Sequence, residues 1–156
     1  MDSSHSQMVS LIWNIADDVL RDVFLRGQYR DVILPMVVLR RLDALLEPTK
    51  EEVEEEIKDN GGLEGLDEGI LTDITGLTYF NTSKWTLNRL KSQATDNNDI
   101  LYSNFVEYLN GYSENVRDVL KNSEYYNKAR KLADNDRLLS IIERITDSRI
   151  NLVDKY

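Results

Sequence analysis

The chain reads as an all-α protein, a compact bundle of about five to seven helices with an acidic, glycine-rich excursion in mid-chain. Three observations predict this. Apolar residues recur at three- and four-residue intervals through most of the 156 residues. A single segment, Leu77-Thr78-Tyr79-Phe80, has strand-like composition, and it has no obvious pairing partner, so it is expected to be extended chain at most. No period of about 20–50 residues repeats, which argues against a solenoid.

The elements follow in order. Met8, Ile12, Ile15, Ala16, Val19, Leu20 and Val23 give a first helix, with Ser4 or Ser6 as its cap and Gly27 as its stop. Ile33, Met36, Val37, Leu39, Arg40, Leu42, Leu45 and Leu46 give a second, whose first turn should contain Pro35, because a missing N–H costs little there. Glu47-Pro48 ends it, since the residue before proline is pushed out of helical geometry. Thr49 to Glu52 fits a capping box and opens an acidic helix over 51–58, whose apolar residues, Val53 and Ile57, make a narrow contact stripe. Gly61, Gly62, Gly65 and Gly69 mark a loop. Short helices are predicted over 86–92 and 113–121, the latter with Val116, Val119 and Leu120 as its face. Between them Asn97 or Asn98 caps a helix that buries Leu101, Phe105, Tyr108 and Leu109 and stops at Gly111. The last helix, capped near Asn135 and Asp136, presents Leu138, Leu139, Ile141, Ile142 and Ile145.

Length and composition bound the function. At 18.1 kDa the chain is expected to form one domain, 1–156, and to bury about 69% of its unfolded surface. No apolar run approaches a membrane span or a signal-peptide core, so the expected compartment is the cytoplasm. The sequence contains no cysteine, which removes thiol nucleophiles, disulfides and cysteine-based metal sites. The single histidine, His5, lies in a polar start expected to fray, which argues against a histidine-dependent triad or a multi-histidine metal site. Net charge is −9, but Glu47 to Glu68 carries 10 acidic residues against Lys50 and Lys58. The remainder is near neutral, so nucleic acid could be met only through a local basic face.

Few motifs carry chemistry. The glycines at 61–65 lack the Lys-Ser/Thr of a phosphate loop and sit among Glu64, Asp67 and Glu68. Asp96 to Glu107 spans a calcium-loop length, but Leu101 stands where that loop needs glycine, and helix capping explains its start. Arg26, Tyr29 and Arg30 gather at the junction of the first two helices, with Arg40-Arg41 further along. Such a set can hold phosphates or stack on a base, and it can equally pair with nearby acids such as Asp31. Asn81, Thr82, Ser83, Lys84 and Trp85 form a second polar loop that ends in an aromatic residue.

Four stretches taken together carry a resemblance. They are Leu11-Ile12-Trp13-Asn14-Ile15-Ala16-Asp17, the run from Tyr29-Arg30-Asp31-Val32 through Leu39-Arg40-Arg41-Leu42-Asp43, Tyr79-Phe80-Asn81-Thr82-Ser83, and the run from Tyr108-Leu109-Asn110-Gly111-Tyr112 to Arg117. In this order, over roughly 8–153, the chain resembles the N-terminal helical domain of the modification (methyltransferase) subunit of type I restriction–modification systems. The second stretch is the specific one.

The resemblance implies a DNA adenine-N6 methyltransferase that uses S-adenosylmethionine. It also implies assembly of two modification subunits with a specificity subunit and a restriction subunit on double-stranded DNA, with the helical domain closing the complex and making subunit contacts. The signature of the chemistry, Asn-Pro-Pro-aromatic, is absent, because the two prolines are Pro35 and Pro48. A catalytic domain is therefore expected C-terminal to this one, and no catalytic, cofactor or metal residue is assigned here. The motif positions that could contact DNA or a subunit are Arg26, Tyr29, Arg30, Arg41, Asn81 and Thr82. A stand-alone helical interaction module is the alternative, its acidic helix serving a basic partner. A small acid–base hydrolase would rest on carboxylate abundance alone.

Overall fold

A computed structural model describes residues 3–150. Within them the regular structure is entirely helical: α1 (Ser3–Leu20), α2 (Tyr29–Leu46), α3 (Lys50–Asp59), α4 (Glu68–Thr75), α5 (Leu87–Ser92), α6 (Asn98–Asn110), α7 (Glu114–Asn122), α8 (Tyr125–Asp134) and α9 (Leu138–Ile145). Single 3-10 turns, Arg26–Gln28 and Glu47–Thr49, lead into α2 and α3.

The hydrophobic spacing explains the layout. α9 buries Leu138, Ile141, Ile142 and Ile145 completely and packs on α1, α2, α5, α6 and α8. Against it α1 places Ile15, Ala16 and Leu20, α2 places Val32, Ile33, Met36 and Leu39, and α6 places Phe105 and Leu109. Fully burying a side chain of this kind contributes about 1.5–3 kcal/mol, so this one interior dominates the stability. A second, smaller cluster of Val53, Leu71 and Phe80 joins α3 to α4.

Several local expectations are corrected. The first helix starts at Ser3, so Ser4 and Ser6 lie inside it. It ends at Leu20 rather than Gly27, because Asp22 adopts φ 67 and the Leu20 carbonyl accepts both Val23 N and Phe24 N. Pro35 lies in the interior of α2, beyond the first turn, and the bond that its N–H would have made is forfeited. The capping box at Thr49 does not form, since its hydroxyl donates to the Leu46 carbonyl, 3.3 Å away. Gly69 belongs to α4, a helix capped by Asp67 at one end and by Gly76, with φ 69, at the other. α8 is a further helix without an apolar stripe in the sequence, because its buried face is Tyr125, Ala129, Leu132 and Ala133, two of them alanines. Val119 is 64% exposed, leaving Leu120 as the buried residue of α7. The last helix starts after Arg137 and has no side-chain cap. Of the segment expected to be extended, Leu77 and Thr78 lie in a bend and only Tyr79 and Phe80 run on as irregular chain; the antiparallel bridge between Asn81 and Tyr112 follows directly after it.

Candidate functional site

The non-helical chain from Tyr79 to Thr86 lies as a strap over α2, α3 and α6, and polar side chains hold it there. Tyr79 donates its hydroxyl to the Leu42 carbonyl at 3.1 Å. Asn81 is 3% exposed; its Nδ2 donates to the Tyr108 carbonyl at 3.0 Å, and its Oδ1 accepts from Ser83 N and Ser83 Oγ at 2.8 and 2.7 Å. Lys50 Nζ donates to the carbonyls of Ser83 at 2.6 Å and Asn81 at 3.3 Å. Thr82 donates N–H at 2.7 Å and Oγ1 at 3.3 Å to one acceptor, the Gly111 carbonyl. At the far end Asp43 Oδ1 accepts Leu87 N and the Tyr108 hydroxyl, both at 3.0 Å. Tyr108 spends its proton on that carboxylate, so in the 2.6 Å contact between hydroxyls Tyr112 is the donor.

Burial sets the electrostatics. Desolvation raises the Asp43 carboxyl above its usual value, opposed by the Leu87 N–H, the Tyr108 hydroxyl and the Arg40 charge. Desolvation also lowers Lys50 to about 8, opposed by Glu54 and reinforced by Arg89. Burial pushes Tyr79 up to about 12 and Tyr108 and Tyr112 well above the ordinary tyrosine value. The space enclosed by Asp43, Lys50, Asn81, Trp85 and Tyr108 is about 10 Å³, at most the room for one water. What the arrangement does is brace the strap.

The six residues singled out from sequence are distributed over three places. Arg26, Tyr29 and Arg30 meet at the start of α2: Arg26 and Arg30 are exposed, and Tyr29 is half-buried against the main core. The corner is electrically mixed, for Asp17 stands 3.8 Å from Arg26 and Asp31 follows Arg30 directly. Arg41 lies about three turns along α2 from Arg30 and acts electrostatically on Tyr79. Asn81 and Thr82 belong to the strap, Asn81 enclosed and Thr82 half-buried. The sequence patterns do not single out Asp43, Lys50, Tyr108 and Tyr112 as bracing residues. One signal is present, since Asp43 falls between Leu39 and Leu46 on the apolar face of α2, where a carboxylate needs a reason.

Compared with known families, residues 8–145 match the family model described as the HsdM N-terminal domain. The chain belongs to this family. The HsdM N-terminal domain is the corresponding region of the type I restriction–modification methyltransferase subunit, as the four sequence stretches implied. No curated protein and no solved structure matches the chain. Three of the four stretches that carried the resemblance supply the bracing network of this HsdM N-terminal domain: Asp43 from the second, Asn81 and Ser83 from the third, Tyr108 and Tyr112 from the fourth.

Proposed function

We propose that this HsdM N-terminal domain joins the subunits of a type I complex and helps hold that complex around double-stranded DNA. In this reading, transfer of a methyl group from S-adenosylmethionine to adenine N6 belongs to a separate, following domain. The partners are the specificity subunit, a second modification subunit and the restriction subunit, in the cytoplasm; among the described residues no helix is long and apolar enough to cross a membrane. The observation that supports assembly is a set of apolar side chains at i, i+4 spacing left on the outer faces of two neighbouring helices. Val9 and Trp13 on α1 are 38% and 42% exposed, and Leu34 and Val38 on α2 are 39% and 51% exposed. Exposed apolar patches of this kind favour protein contact. Arg30 and Arg41 share the outer side of α2 with Leu34 and Val38, so a phosphate contact there would run beside the protein contact.

Co-purification of the full-length modification subunit with its specificity subunit tests the assembly half. Trp13→Glu and Val38→Glu are expected to reduce the recovered specificity subunit while the helical circular dichroism stays unchanged, and full recovery with both changes would overturn it. For the DNA half, Arg26→Glu with Arg30→Glu should flatten the salt dependence of binding by the whole complex, by about one unit of slope for each phosphate no longer neutralised. An unchanged slope would remove the DNA-facing role from this corner.

A further inference from the structure

Between α4 with its preceding loop and the corner joining α6 to α7 lies a cleft of about 210 Å³. Its apolar lining is Leu66, Leu71 and Phe80, with Leu63, 57% exposed, towards solvent. Arg117 of α7 enters the same lining, and its Nε is shut off from solvent without a hydrogen-bond partner. Glu68, in the first turn of α4, lines it too. Neither Arg117 nor Glu68 takes part in any ion pair among the described residues. The cleft thus combines an apolar wall with a guanidinium and a carboxylate that form no ion pair among the described residues.

Three successive groups of a peptide would answer these three features. An apolar side chain would cover Phe80 and Leu71, the backbone N–H would donate to Glu68, and a neighbouring carboxylate would pair with Arg117, whose fork suits it. The volume lies below the roughly 300–1,000 Å³ of pockets that enclose larger ligands, so it admits a single side chain. Further acids crowd the surroundings, with Glu64 and Asp67 ahead of α4 and Glu114 at the start of α7, and these would repel a longer acidic run. We propose that the cleft is the docking site for a partner-protein segment in which a leucine-sized apolar residue is followed directly by a single acidic residue. This deepens the assembly reading, on which it rests, by stating what one partner presents.

Titration of the 156-residue chain with acetyl-Leu-Glu-amide at millimolar concentration, followed by amide NMR shifts, tests it. Shifts are expected at Leu71, Thr82 and Gly111, with acetyl-Leu-Gln-amide binding about tenfold more weakly, the size of one charge-assisted contact. Arg117→Gln should erase the difference between the two dipeptides. If that variant fails to fold, the discrimination by the unaltered chain carries the test alone. Equal binding of the two dipeptides, shifts with neither, or tighter binding of free leucine than of the acetylated dipeptide would each overturn the proposal. The titration contains no partner subunit, so its failure is separable from a failure of the co-purification.

Discussion

Asp43 shows how much one buried carboxylate can organise. A single oxygen, Oδ1, receives the Leu87 N–H that opens α5 and the Tyr108 hydroxyl from α6. Asp43→Ala strands both donors in the interior and is expected to cost about 2–4 kcal/mol, whereas Asp43→Asn keeps a carbonyl acceptor and should cost about 1 kcal/mol or less. Urea unfolding of the two variants at neutral pH distinguishes these outcomes. Lys50 makes the pH dependence unusual. Its folded value of about 8 lies below the ordinary 10.5, so between these the unfolded chain binds more protons and stability climbs with rising pH. The buried tyrosines act in the opposite direction. Tyr79, Tyr108 and Tyr112 keep protons that the unfolded chain sheds around pH 10, and stability falls from there upward. The urea midpoint should therefore rise from about pH 8 towards about pH 10 and then drop, and Lys50→Met should abolish the rise.

Among the elements, α2 and the corner after α6 carry the most informative departures from ideal geometry. Proline in a helix interior costs about 3 kcal/mol, part of which Pro35 recovers by stiffening the unfolded chain. Pro35→Ala restores the missing N–H opposite the Asp31 carbonyl and should stabilise the fold by about 1 kcal/mol, read as a higher thermal midpoint. Gly111 is required for a different reason. Its φ of −74 suits any residue, but a Cβ there would lie 2.5 Å from Asn81 Oδ1 and 2.7 Å from Ser83 N. Gly111→Ala should push the strap off α6 and destabilise by about 1–3 kcal/mol, the usual range for overpacking. Helices with a continuous apolar stripe, such as α1, α2, α6 and α9, were legible in the sequence because their spacing shows their buried faces. Two helices were not: α4 hid among loop glycines, and α8 turns alanines inward, where no apolar stripe announces them. The strap was legible only as a polar loop. Its backbone accepts from Lys50 and its Asn81 reaches Tyr108, partners 27 to 33 residues away that no local pattern connects.

Over the whole molecule, charge is the uneven quantity. The net charge of −9 is concentrated on α3 and the loop beyond it, where Glu51 with Glu55 and Glu52 with Glu56 stand at i, i+4. Like charges at that spacing each cost a few tenths of a kcal/mol, about 0.2–0.5, and salt screens them. The thermal midpoint should rise between low and physiological ionic strength, and Glu55→Gln should reproduce part of that rise without salt. The main interior draws on α1, α2 and α5 to α9, whereas α3 and α4 share a cluster whose buried members are Val53, Leu71 and Phe80. Helices with so small a common interior open at lower free energy than the rest. Amide protons of α3 and α4 should then exchange with solvent deuterium well before those of α9, through a partial opening that leaves the main body closed. In a large assembly such a unit could reshape itself against a neighbour without the rest of the subunit unfolding.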